Sequence, residues 1–145
     1  MRIFCFLLFF PAYSYGDMSL PIVKVYDGDT IVSYMPLPEG LSKVSIRIYG
    51  IDSPESPAKS YLVTGKLGRA KCRKEADLAL QATELVREIA KGSPYMTVSD
   101  YKWGKFGGRI VGKVTINGIN IADELIRMNL AVPYYGQKKN KDWCL

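Results

Sequence analysis

Residues 25–51 read VYDGDTIVSYMPLPEGLSKVSIRIYGI, and their reading decides the fold. β-branched and aromatic residues flank the bend Asp27–Gly28–Asp29, which predicts two short strands, about 20–26 and 30–35, joined by a tight turn. The two prolines and the glycine of MPLPEGLS (35–42) predict a loop. A third strand, 43–51, alternates, with Val44, Ile46 and Ile48 on one face and Ser45, Arg47 and Tyr49 on the other. Arg47 therefore stands opposite the core-forming side. A tight turn needs one aspartate and one glycine, so the second aspartate is left for a function.

Working outward, residues 53–69 have no clean period and contain proline, glycine and basic residues, the composition of a long functional loop. A helix is predicted from about Lys71 to Ala90, because Leu78, Ala82, Leu85, Val86 and Ile89 recur at helical spacing and Gly92 with Pro94 stops it. Two further strands, about 95–100 and 109–116, enclose the glycine-rich YKWGKFGG. After an Asn117–Gly118 turn, Asn120 caps a short helix that buries Ile121, Ala122, Leu125 and Ile126. The order predicts an α+β chain. The expected architecture is a five-stranded Greek-key β-barrel of the oligonucleotide-binding (OB) type, with one long helix between strands 3 and 4 and a short C-terminal helix.

The 145 residues suffice for one domain. A net charge of +6 and a pI near 9.2 favour polyanionic partners such as nucleic acid. The chain has no histidine, which excludes serine–histidine and cysteine–histidine catalysis and most zinc sites. At the N-terminus a basic residue, an apolar run Ile3–Phe10 and small residues before Asp17 have the pattern of a secretory leader; a buried strand is the alternative. Cleavage after Ser14 or Gly16 fits, and we take 1–16 as leader and 17–145 as the exported chain. Removing the leader takes Cys5 with it. Cys72 and Cys144 are left, either as a disulfide or as two free thiols.

Two other stretches carry charge at strand ends. In RIYGIDSPE (47–55), Asp52 and Glu55 flank Ser53–Pro54, where proline ends the ladder. In KFGGRIVG (105–112), glycines precede Arg109. Four carboxylates and two arginines so arranged suggest a hard cation on oxygen ligands beside guanidinium groups that grip phosphate.

The motifs YDGDTI, RIYGIDSPE, GKFGGRIVG and GINIADELIRMNLAV resemble, in order and approximate spacing, the thermonuclease (staphylococcal nuclease-like) family. The resemblance covers roughly residues 20–144, and the terminal DWC is similar to exported members with a cysteine at both corresponding places. It implies a secreted Ca²⁺-dependent endonuclease that cuts the 5′ P–O bond of DNA and RNA and leaves 3′-phosphate ends. Asp29, Asp52 and the main-chain carbonyl of Ser53 would hold one Ca²⁺ ion, with Asp27 close behind. Arg47, Arg109 and Glu55 would be catalytic, Lys105 and Tyr135 would bind substrate, and Lys59, Lys66 and Arg69 could track the backbone. A monomer, free of the membrane once the leader is cleaved, is expected. An extra glycine precedes Arg109, and Phe106 lacks the hydroxyl of the tyrosine common in relatives. A non-catalytic OB module that only binds nucleic acid is the alternative; four acids facing a polyanion would oppose it.

Overall fold

The computed structural model describes residues 16–145; apart from Gly16, the expected leader lies outside the described residues. The chain enters at β1 (Met18–Pro21) and continues after two residues as β2 (Lys24–Asp27). A turn at Gly28–Asp29 leads into β3 (Thr30–Leu37), which pairs antiparallel along its length with β4 (Gly40–Ile48). The segment 35–42, expected as a loop, is therefore a hairpin that turns only at Pro38–Glu39. Pro36 is tolerated there because it lies on an exposed strand end, where proline does least harm to a ladder.

After β5 (Ile51–Asp52), the long loop contains one helical turn, α1 (Tyr61–Thr64), that no periodicity announced. Helix α2 (Arg73–Ala90) buries a narrow stripe of Ala76, Ala79, Ala82 and Val86, while Leu78 and Leu85 are only half-buried. It is followed by β6 (Tyr95–Trp103), β7 (Arg109–Ile116), β8 (Ile119–Asn120), α3 (Ile121–Arg127) and β9 (Val132–Pro133). Asn120 caps α3 as expected, accepting from Asp123 N at 3.1 Å.

The main sheet runs β1-β6-β7-β4-β3-β2, with β8 added beside β7. Among the described residues only its β4–β7 pair is parallel. β1 and β2 are consecutive in the chain yet lie at opposite ends of that order, so the mixed sheet curls back on itself. The link is made by Ile22 N donating to Pro94 O and Val23 N donating to Val32 O, with Ser33 Oγ donating to Pro21 O. The interior is filled by Ile31, Ile46, Ile48, Met96, Val98 and Ile110, each worth about 1.5–3 kcal/mol when fully buried.

Two features place the site. α2 packs on the acidic turn so closely that a Cβ at Gly28 would come within 2.7 Å of Ala82 Cβ, so the glycine answers to packing. A separate two-residue ladder, Ile51↔Pro133 and Asp52↔Val132, brings the C-terminal segment beside Asp52. Cys72 and Cys144 form a disulfide with a Cα–Cα distance of 6.0 Å, which ties that segment to the start of α2. Among the described residues no helix is long and apolar enough to cross a membrane.

Candidate active site

The turn after β2, the end of β4, the start of the long loop and the start of β7 converge on one cleft of about 640 Å³; Asp52 of β5 lines an adjoining hollow that shares Tyr134 and Lys139 with it. Asp29 is buried in the cleft, and both of its carboxylate oxygens have a partner. Its Oδ1 takes Thr30 Oγ1 at 3.0 Å and the Arg47 guanidinium, and its Oδ2 takes Ser53 Oγ at 2.7 Å. Arg47 also lies 3.9 Å from Asp52 Oδ1. The alternation of β4 produces this: Ile46 and Ile48 point into the core, and Arg47 between them points into the cleft.

Asp27 organises the turn, its Oδ1 accepting from Asp29 N at 3.3 Å. Burial, and then the adjacent Asp29 charge, push its pKa up from 3.8 to about 6. Arg69 lies 3.5 Å from Asp27 and 3.6 Å from Glu55, joining the two carboxylates across the cleft. Glu55 is half-exposed, and its backbone N–H is held at 3.2 Å by the buried carboxylate of Glu75. Glu75 also accepts from Lys71 N at 2.6 Å. Those two bonds join the loop to the N-terminus of α2.

Arg109 opens β7 in register with Ser45, and its guanidinium lines the same cleft as Arg47 and Glu55. In the turn before Arg109, Gly108 adopts φ +71°, and its carbonyl accepts from Ser45 N at 2.8 Å. Phe106 has a different task from the missing hydroxyl, since its ring lies 5.4 Å below the Arg109 guanidinium. Lys105 and Tyr135 do not line this cleft. They line a neighbouring hollow of about 450 Å³ that shares Arg47 and Tyr134 with it. Tyr135 there faces Tyr49 at 5.8 Å between ring centres. Of the loop cations, Arg69 enters the cleft and Lys66 does not; Lys59 lies beyond it.

The clustered acids suggest, from the sequence, a bound cation. The chain supplies its own: Arg47, Arg69 and the unforeseen Lys139 each pair with at least one acid of the cluster. Clustering alone therefore does not require a metal. Among the described residues, no group of three or more histidine, cysteine, aspartate or glutamate side chains is placed to hold one. The expected set has two carboxylates and one main-chain carbonyl, and one oxygen speaks for it. Asp52 Oδ1 is buried and receives no hydrogen bond, although Lys139 Nζ approaches it to 2.6 Å off the hydrogen-bonding direction. A hard cation suits such an oxygen, with water completing the shell.

Glu75 and Lys139 were the residues missed as part of the site; Arg69, expected only as a loop cation along the backbone, pairs with Asp27 and Glu55. Glu75 had a legible signal, standing three positions after the N-cap Cys72 as the acid of a capping box does. Lys139 had none, because its place depends on the tail's path.

A curled mixed sheet of OB type, with arginines and carboxylates at the strand ends, defines a scaffold for handling phosphodiesters. The profile of the family described as staphylococcal nuclease homologue matches residues 45–144, and the chain belongs to that family, whose members are nucleases. The match takes in Arg47, Asp52, Glu55, Arg109 and both paired cysteines; it starts after the Asp27–Asp29 turn. No curated protein matches the chain.

Proposed function

We propose that this protein is an exported, monomeric, Ca²⁺-dependent endonuclease that hydrolyses phosphodiester bonds of DNA and RNA and leaves 3′-phosphate ends. We assign its curled sheet to the five-stranded OB barrel, counting β1 and β2 as one strand. The observation that carries the reading is the single cleft in which two arginines and Glu55 face one another beside a buried, undonated carboxylate oxygen.

Arg47 and Arg109 reach the cleft from adjacent strands, so their guanidinium groups suit two oxygens of one phosphate and the charge that grows on them during attack. Glu55 orients a water and takes its proton as the water oxygen attacks phosphorus and the 5′ P–O bond breaks, the departing 5′ oxygen taking a proton from solvent water. An ordinary carboxylate is a weak base near neutrality, so the arginines must carry much of the rate. Asp29, Asp52 and the Ser53 carbonyl would hold the calcium ion, which supplies Lewis-acid polarisation of a phosphoryl oxygen. Asp27 keeps the turn in shape, and Glu75 keeps Glu55 at the cleft edge. Lys105 and Tyr135 are assigned to the flanking nucleotide, a stacked base being worth about 1–3 kcal/mol.

Export is supported by the leader-like N-terminus and by the Cys72–Cys144 bond, which persists in oxidising compartments. The deciding experiment incubates the folded chain with single-stranded DNA and with RNA, in Ca²⁺ or in chelator. Shortening of both polymers in Ca²⁺ alone is expected. Binding without any shortening would replace the enzyme with a binding module.

A further inference from the structure

Three hollows lie in series across the molecule. The central cleft shares Arg47 and Tyr134 with the tyrosine-lined hollow, and shares a different pair, Tyr26 and Arg69, with a third hollow of about 430 Å³. The third hollow thus leaves the cleft by another side. Its cations come from three separate elements: Lys24 from β2, Lys59 and Arg69 from the long loop, and Arg87 from α2. No carboxylate lines it. Lys24 and Lys59 have no ion pair among the described residues, and Arg87 has only the exposed Glu84 at 3.6 Å. The ring of Tyr26 stands at the junction, 53% exposed.

The loop wall is built rather than draped. Ala58 N donates to Lys66 O at 3.3 Å, and Tyr61 OH donates to Asp77 of α2 at 2.8 Å. A Cβ on Gly68 would fall 2.5 Å from Ala58 N, so the two limbs of the loop touch. Lys59 and Arg69 are thereby held on the same side as Arg87.

We propose that this third hollow is a binding arm for the phosphates of a single-stranded polynucleotide, with Lys24, Lys59 and Arg87 as its contacts and Tyr26 as a stacking face. The assignment rests on the nuclease reading above and adds to it a requirement for several nucleotides on one side of the bond that is cut. The physical need is clear. In the central cleft Arg47, Arg69 and Lys139 are engaged with the acids there and with Asp52, so Lys24 and Lys59, which have no ion pair among the described residues, add positive charge that a polyanion can use. A repeating anion with flat faces is the ligand that uses spaced cations and an exposed ring together.

The test uses the full chain in chelator, where a strand is bound and left intact, and compares the wild type with a K24Q/K59Q/R87Q variant. A fluorescent single strand of about a dozen nucleotides is titrated across a salt series. The variant is expected to bind at least about tenfold more weakly, with a salt slope shallower by about 0.7 per lost phosphate contact. Cleavage of a dinucleotide in Ca²⁺ by a K24Q/R87Q variant, which keeps Lys59, should match the wild type. An unchanged affinity and slope would overturn the arm. If the triple variant fails to fold, K59Q alone, on an exposed loop, must still lower the slope by about 0.7. If the wild type cuts neither substrate in Ca²⁺, the nuclease reading fails, while the chelator titration still judges the arm.

Discussion

Lys139 Nζ lies 2.6 Å from Asp52 Oδ1 and 4.0 Å from Glu55, so a tail residue supplies positive charge beside both acids. A calcium ion at Asp52 would meet that ammonium as a competitor. Lys139→Met is therefore expected to tighten Ca²⁺ or Tb³⁺ binding about three- to tenfold, the size of one nearby like charge in a partly solvated site. Calorimetry or Tb³⁺ luminescence without substrate reads this directly. An unchanged dissociation constant would remove Lys139 from the competition.

Arg47 and Arg109 enter the cleft from paired strands, yet only Arg47 is already bound to an acid, Asp29. Arg109→Ala should lower kcat at least about 10²-fold, as loss of one oxyanion donor does, with little change in stability. Arg47→Ala should lose as much and also leave buried Asp29 short of its partner, costing about 1–3 kcal/mol. Steady-state rates beside urea unfolding separate the two effects. Near wild-type turnover in either variant would take that arginine out of the mechanism.

Glu75 holds the Glu55 N–H and the Lys71 N–H with one buried carboxylate. Glu75→Ala leaves both donors unmatched and is expected to cost about 1–3 kcal/mol of stability. It should lower kcat more than it raises KM, because Glu55 loses its anchor without any loss of substrate contacts. Equal damage to both constants would assign Glu75 to the fold alone.

The Cys72–Cys144 bond closes a separation of 72 residues. The chain-entropy account puts its worth at about 4 kcal/mol, with native disulfides commonly measured at about 2–5 kcal/mol. Cys144→Ser should show a loss in that range, and Lys139 should leave Asp52 as the tail loosens. The unreduced, leader-free chain should contain no free thiol; two thiols on titration would exclude the bridge.

Asp27 imposes a pH dependence of definite sign. Facing Asp29 on its own turn and Arg69 from the loop, it has a folded pKa of about 6 against 3.8 in the open chain. Between these values the folded state holds a proton that the unfolded state has released, so stability falls as pH rises from 3.8 through about 6. The loss attributable to Asp27 is at most about 3 kcal/mol. Denaturant unfolding in chelator should show that decline, and Asp27→Asn should flatten it. A decline of the same size in the variant would assign it to other groups.

The long helix, the cap at Asn120 and the outward face of Arg47 were legible in the sequence. Each is a local matter, written in hydrophobic period, turn chemistry or end signals. The single strand expected at 20–26, by contrast, is two, β1 and β2, paired with different strands, and that expected at 43–51 breaks into β4 and β5. Local signals misled at 35–42, where prolines at an exposed strand end imitate a loop, and were silent at α1, β8 and β9, which are too short to have a period. The candidate acids and arginines could be named from the sequence because their motifs sit at strand ends. Their pairing could not. Tertiary structure alone decided that Arg47 bridges Asp29 toward Asp52, that Arg69 spans Asp27 and Glu55, and that Glu75 holds Glu55. The same holds for Lys139, brought to Asp52 by a two-residue ladder and a disulfide. Periodicity tells which face a side chain takes; which charge it meets depends on segments up to about ninety positions apart in the chain, and only closure of the sheet brings those together.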